Sequence, residues 1–161
     1  MAQAIANVKK DRLRYTKNKL SANLALLGIV FDALYFINIY SSDVGNYYYT
    51  FQIGLSVVYN LIFLLAAFLG SEGIKNYKKN YGYLLMVIGV LQFVRIIQIP
   101  LKAHNATVTI SEQTTKVMGD SQFTYVVACL ILSGVACIAS GIVGIIKANV
   151  LENYKKENGL Q

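Results

Sequence analysis

Apolar and polar positions along this chain fall into long blocks rather than short alternations. Four runs, at about 20–40, 50–69, 81–100 and 123–146, are almost continuously apolar. A helix rises about 1.5 Å per residue and a bilayer's hydrocarbon core is about 30 Å thick, so roughly 20 apolar residues suffice to cross. Membrane barrel strands would instead alternate in segments of about ten residues. The pattern therefore predicts an all-α polytopic membrane protein, a four-transmembrane-helix antiparallel bundle, since short connections make successive helices neighbours. A basic segment, 1–19, precedes the membrane domain of 20–146, and a short tail, 147–161, follows it. The long connection is 101–122, within which Ala106-Thr107-Val108-Thr109-Ile110 alternates in a way that permits a short strand.

Composition agrees with this reading, and charge gives it a direction. Hydrophobic residues make up 55% of the 161 and charged residues only 14%, against roughly 25% charged in a soluble domain. Lys9, Lys10, Arg12, Arg14, Lys17 and Lys19 precede the first run, Lys75, Lys78 and Lys79 lie between the second and third, and Lys147, Lys155 and Lys156 follow the fourth. The opposite connections hold only Lys102 and Lys116. By the positive-inside rule both termini are expected in the cytoplasm of a cell bounded by its plasma membrane. The net charge of +7 then reflects topology and requires no nucleic-acid partner. The six basic residues of 1–19 suit contact with anionic lipid as well as with the bilayer generally. The first run is too long for a cleavable signal and is expected to remain as an anchor. Abundant Tyr, Lys and Asn with one Pro and no Trp fits a bacterial source of low GC content. Tyr40, Tyr47, Tyr48, Tyr49 and Tyr125 are placed near the outer interface and Tyr15, Tyr77, Tyr81, Tyr83 and Tyr154 near the inner one, leaving Tyr35 and Tyr59 deep in the spans.

The two halves of the chain resemble each other. Gly45-Asn46-Tyr47-Tyr48-Tyr49-Thr50-Phe51 precedes the second run as Gly119-Asp120-Ser121-Gln122-Phe123-Thr124-Tyr125 precedes the fourth. Asn76-Tyr77-Lys78-Lys79 recurs as Asn153-Tyr154-Lys155-Lys156. Two tandem helical hairpins of the same orientation are the inference, related by an axis along the membrane normal.

Two charges lie within the spans. Asp32 and Arg95 each cost roughly 2.5 to 3.5 kcal/mol at a helix centre, which their apolar neighbours can outweigh. Asp32, Tyr35 and Asn38 on the first span, and Gln92, Arg95 and Gln98 on the third, recur every three residues and form the expected intramembrane polar cluster, with Gln52, Ser56, Tyr59 and Asn60 as a weaker set. An Asp32 to Arg95 pair is within reach, because both helices run outward and the axial offset is about 5 Å. Such a cluster can hold a solute or ion, or it can staple helices together. The staple is preferred, because four short helices that fill their own core can hardly enclose a large cavity. On the fourth span Cys129, Ser133, Cys137 and Gly141, with Ala136, Ser140 and Gly144 beside them, form two small-residue rows that suit close helix packing. Two rows exceed the need of one contact, which points to a partner outside the chain.

Catalytic equipment is scarce. Cys129 and Cys137 stand about 12 Å apart along one helix and cannot bridge, and His104 is the single histidine. No phosphate-binding glycine loop or metal-ligand spacing is present, so no cofactor, no metal and no enzymatic activity are expected. The expectation is a non-enzymatic accessory or scaffold subunit that associates with a larger membrane protein or transporter complex, through the fourth span and the outer connection. The alternative is a small oligomeric transporter or channel that uses the Asp32 and Arg95 cluster.

Overall fold

The computed structural model describes residues 2–42, 51–110 and 113–159. The described residues form helices and one two-stranded sheet, joined by short connections. The elements are α1 (Ala2–Tyr15), α2 (Lys19–Tyr40), α3 (Phe51–Lys75), α4 (Lys79–Gln98), α5 (Pro100–Asn105), β1 (Thr107–Ile110), β2 (Gln113–Lys116) and α6 (Asp120–Glu157). Four of the helices are long and apolar enough to cross a membrane. Only 33% to 50% of each apolar window is buried, so large side chains such as Leu34, Leu65, Val87 and Ile142 face outward. An apolar exterior of this extent is a liability in water and the ordinary surface of a protein solvated by lipid.

Helix boundaries follow local chemistry. The amide oxygen of Asn18 accepts from the Ser21 N–H at 3.4 Å and so caps α2. The end of α3 is a Schellman turn, in which Lys78 N–H reaches Gly73 C=O at 3.2 Å and Tyr77 N–H reaches Ile74 C=O at 3.0 Å. The left-handed position of that turn, usually glycine, is occupied by Tyr77 with φ 58°. Pro100 has no N–H to continue α4 and stands at the first turn of α5. The strand expected near 106–110 is β1, paired antiparallel with β2 so that Thr107 faces Lys116 and Ile110 faces Gln113.

Two helices run on beyond the apolar runs read from the sequence. α3 runs on past Leu69 to Lys75, a last stretch anchored by Ile74, which is fully buried in the core. The fourth span and the expected tail form one helix of 38 residues, about 57 Å long and therefore well beyond hydrocarbon thickness. α1 packs on this extension, and Lys79 and Lys156 both pair with Glu152 there. Residues 43–50, which hold most of the first copy of the internal repeat and Tyr47 to Tyr49, lie outside the described residues.

Helix α6 is the hub, touching α2 and α4 along its length, while α3 packs on α2 and α4. Two apolar clusters form the core. One gathers Tyr35, Ile39, Ile99, Ala103, Met118, Val126, Cys129 and Leu130, and the other Ala25, Phe63, Ala67, Ile74, Leu85, Ile88 and Cys137. Along α2, α4 and α6 a polar layer falls between them.

Candidate functional site

That layer is built around Arg95, which is 2% exposed, and Asp32, which is fully buried. Arg95 Nη1 donates to Asp32 Oδ1 at 2.5 Å and to Gln92 Oε1 at 3.1 Å, while Nη2 donates to Asn60 Oδ1 at 2.6 Å. Gln92 Nε2 donates to Asp32 Oδ1 at 2.8 Å and to Ser133 Oγ at 3.1 Å. Ser133 Oγ in turn donates to the Gly28 carbonyl at 2.8 Å. The rings of Tyr35 and Tyr59 lie 4.7 and 4.8 Å from the guanidinium carbon, an arrangement in which ring quadrupoles attract the cation. One network thus links α2, α3, α4 and α6. One acceptor is left over: Asp32 Oδ2 is buried and has no hydrogen-bond partner.

Asp32, Tyr35, Gln92 and Arg95 meet as the spacing suggests, but Asn38 and Gln98 do not join them. Asn38 accepts a hydrogen bond from Gln122 at 3.0 Å, and Gln98 is exposed. The reason is geometric. A three-residue step turns a helix by about 300°, so each repeat drifts about 60°, and two steps carry the side chain about 120° away from its start. Of the weaker set, Tyr59 and Asn60 belong to the network and Ser56 is simply buried. The side chain of Gln52 lies outside the described residues. Ser133, read from the sequence as a packing residue, closes the network instead.

All seven residues of the small rows, Cys129, Ser133, Ala136, Cys137, Ser140, Gly141 and Gly144, are buried within the chain. The expectation that their excess width serves an outside partner gives way to a simpler explanation, which is that α6 has two close neighbours. Toward α2, Ser140 Oγ donates to Ser21 C=O at 2.6 Å and Ser21 Oγ returns a bond to Ser140 C=O. Toward α4, Gly134 meets Gly89 and Gly141 meets Gly82. A Cβ on Gly89 would stand 2.9 Å from Gly134 O, and one on Gly141 would stand 2.6 Å from Gly82 O, so backbone touches backbone. Gly82, Gly89, Gly134 and Ser21 escaped the sequence reading. The seven-residue spacing shared by Gly82 with Gly89 and by Gly134 with Gly141 is the signal that could have found the glycines; none marks Ser21.

At the end of the molecule that carries β1 and β2, His104 stacks on Phe123 with centroids 4.3 Å apart and lies 3.7 Å from Asp120. A hydrogen bond from Lys116 at 2.7 Å holds the Asp120 carboxyl below its usual pKa. Among the described residues no group of three or more His, Cys, Asp or Glu is placed to hold a metal.

These features define a helical protein with four helices fit to cross a membrane and a charged network inside them. No family model, no curated protein and no solved structure matches the chain.

Proposed function

We propose that this chain is a non-enzymatic accessory or scaffold subunit of the plasma membrane, which acts by associating with a larger integral membrane protein or transporter complex. The observation that carries the reading is the use of the intramembrane charge. Arg95 spends its guanidinium on Asp32, Gln92, Asn60 and two tyrosine faces of its own chain, as a staple does and as a solute site does not. In this proposal the four long helices form an antiparallel bundle of two tandem hairpins with both termini cytoplasmic. Its support is the pairing order of the glycines, Gly82 with Gly141 and Gly89 with Gly134, and the one-sided distribution of Lys and Arg. The basic end then lies against an anionic leaflet. Because the small rows are covered within the chain, the partner's footprint falls elsewhere, and the β1–β2 hairpin is a surface the outer side offers. Mild detergent extraction at native expression, followed by affinity isolation, should recover a stoichiometric heterologous membrane protein. Recovery of this chain alone would overturn the proposal.

A second reading, a small oligomeric transporter or channel, draws on one atom, the unpartnered Asp32 Oδ2. The double substitution Asp32→Asn with Arg95→Gln separates the two. A staple tolerates paired neutralisation, whereas a transport site loses its flux in reconstituted vesicles while the protein still assembles.

A further inference from the structure

The cytoplasmic end proposed above carries a cleft of about 580 Å³ where α1 turns into α2 beside α6, lined by Tyr15, Thr16, Lys17, Lys19, Leu20 and Lys147. Three of its six lining residues are lysines and none is a carboxylate. Of the carboxylates of this end, Asp11 pairs with Arg14, Glu72 with Lys75, and Glu152 with Lys79 and Lys156, and Glu157 is not among the residues that line the cleft. Lys17 and Lys19 make no ion pair among the described residues, and Lys147 Nζ donates only to the neutral amide of Asn18, at 3.1 Å. Asn18 is itself a junction. Its oxygen caps α2, its N–H bonds the Lys75 carbonyl at 2.9 Å, and its buried Nδ2 has no acceptor. An anion in the cleft would meet the ammonium groups of Lys17 and Lys19, which have no carboxylate partner, and that of Lys147. The rim, by contrast, is apolar. Tyr15 is 77% exposed and Leu20, the first apolar residue of the span, 55% exposed, a combination suited to the boundary between headgroups and acyl chains.

The geometry points to a binding site for the phosphate headgroup of one anionic phospholipid in this cleft, with Lys17, Lys19 and Lys147 around the phosphate and Tyr15 and Leu20 against the glycerol and upper acyl region. The inference rests on the reading that the basic end faces an anionic leaflet. It deepens that reading from diffuse attraction by a charged segment to a discrete site. Free phosphate shares the headgroup's charge but has nothing to place on Tyr15 and Leu20.

The test uses the full chain in neutral detergent, with phosphatidic acid, phosphatidylglycerol, phosphatidylcholine and inorganic phosphate titrated separately and retained lipid counted by native mass spectrometry. Lys17→Gln with Lys19→Gln removes two exposed cations that hold no hydrogen bond, and each lysine near an anionic surface is worth enough that the pair should weaken the anionic lipids about 30-fold. Lys10→Gln with Lys78→Gln removes the same charge from the same end but outside the cleft, and should change binding less than about twofold. Equal weakening by the two pairs, binding no tighter than phosphatidylcholine, or displacement of the lipid by millimolar inorganic phosphate would each overturn the assignment. Because the measurement is made in micelles, it is independent of which way the chain sits in a membrane, and labelling of the termini in cells tests that separately.

Discussion

Removing one member of the buried ion pair should damage this protein far more than removing both. Arg95→Gln strands the fully buried Asp32 carboxylate with Gln92 as its remaining donor, frees Asn60 Oδ1, and takes the cation from between Tyr35 and Tyr59. Breaking one side of a buried pair costs about 3 to 5 kcal/mol. Asp32→Asn leaves the guanidinium with Gln92, Asn60 and both rings, so its cost falls at the low end of that range, about 3 kcal/mol. Asp32→Asn with Arg95→Gln replaces two charges by amides that can bond to each other. Interhelical hydrogen bonds in membranes average about 0.6 kcal/mol, so the double variant should lose about 1 to 2 kcal/mol. Independent effects would instead sum to about 6 kcal/mol or more, giving a coupling of at least about 4 kcal/mol. Reversible unfolding of the four species in mixed micelles, followed by helix content against the mole fraction of anionic detergent, measures the cycle. Additivity within about 0.5 kcal/mol, or a single substitution costing under about 1 kcal/mol, would refute the staple.

Gly89→Ala should destabilise the chain by about 1 to 3 kcal/mol in the same assay, because its Cβ would press on Gly134 O and Ile138. Gly54→Ala, with nothing within 4 Å of its Cβ, should be neutral or stabilise by up to about 1 kcal/mol. Glu152, held down to about 2 from 4.5 by Lys79 and Lys156, binds its proton more weakly when folded. Its contribution is therefore complete above about pH 4.5 and is lost as pH falls toward 2. Melting temperatures compared at pH 6 and pH 3 should show Glu152→Gln less acid-sensitive than the parent, and an unchanged acid sensitivity would remove this ion pair from the stability of the α4 and α6 ends.

The four long helices were legible because hydropathy over twenty residues is a collective signal that no single substitution disguises. Asp32 and Arg95 were legible for the opposite reason, as isolated charges whose cost demands a partner. What was hidden depended on direction around a helix. Three-residue spacing places Asn38 and Gln98 on one list with Asp32 and Arg95, but the drift of the helix sends Asn38 to Gln122 and Gln98 to the surface. The glycines of α4 were invisible among apolar neighbours because hydropathy does not record that Gly82 and Gly89 present backbone rather than side chain. The small rows of α6 were seen, but their neighbours were not, since a sequence gives the width of a packing face without saying how many helices share it. The helical course of 147–157 was missed because the polarity that ends a membrane span does not end a helix, and Glu152 ties that segment to α4.

Single cysteines introduced by Val8→Cys, Lys78→Cys, Thr115→Cys and Asn158→Cys, each at a described position on one end of the molecule or the other, can be probed in intact cells with a membrane-impermeant maleimide. Cys129 and Cys137 are buried and give a low background. Only the Thr115→Cys variant should react before permeabilisation, and the other three only after it. Reaction of the Val8→Cys and Asn158→Cys variants on different sides of the membrane, or of all four without permeabilisation, would contradict a chain that crosses four times and keeps its basic ends together in the cytoplasm.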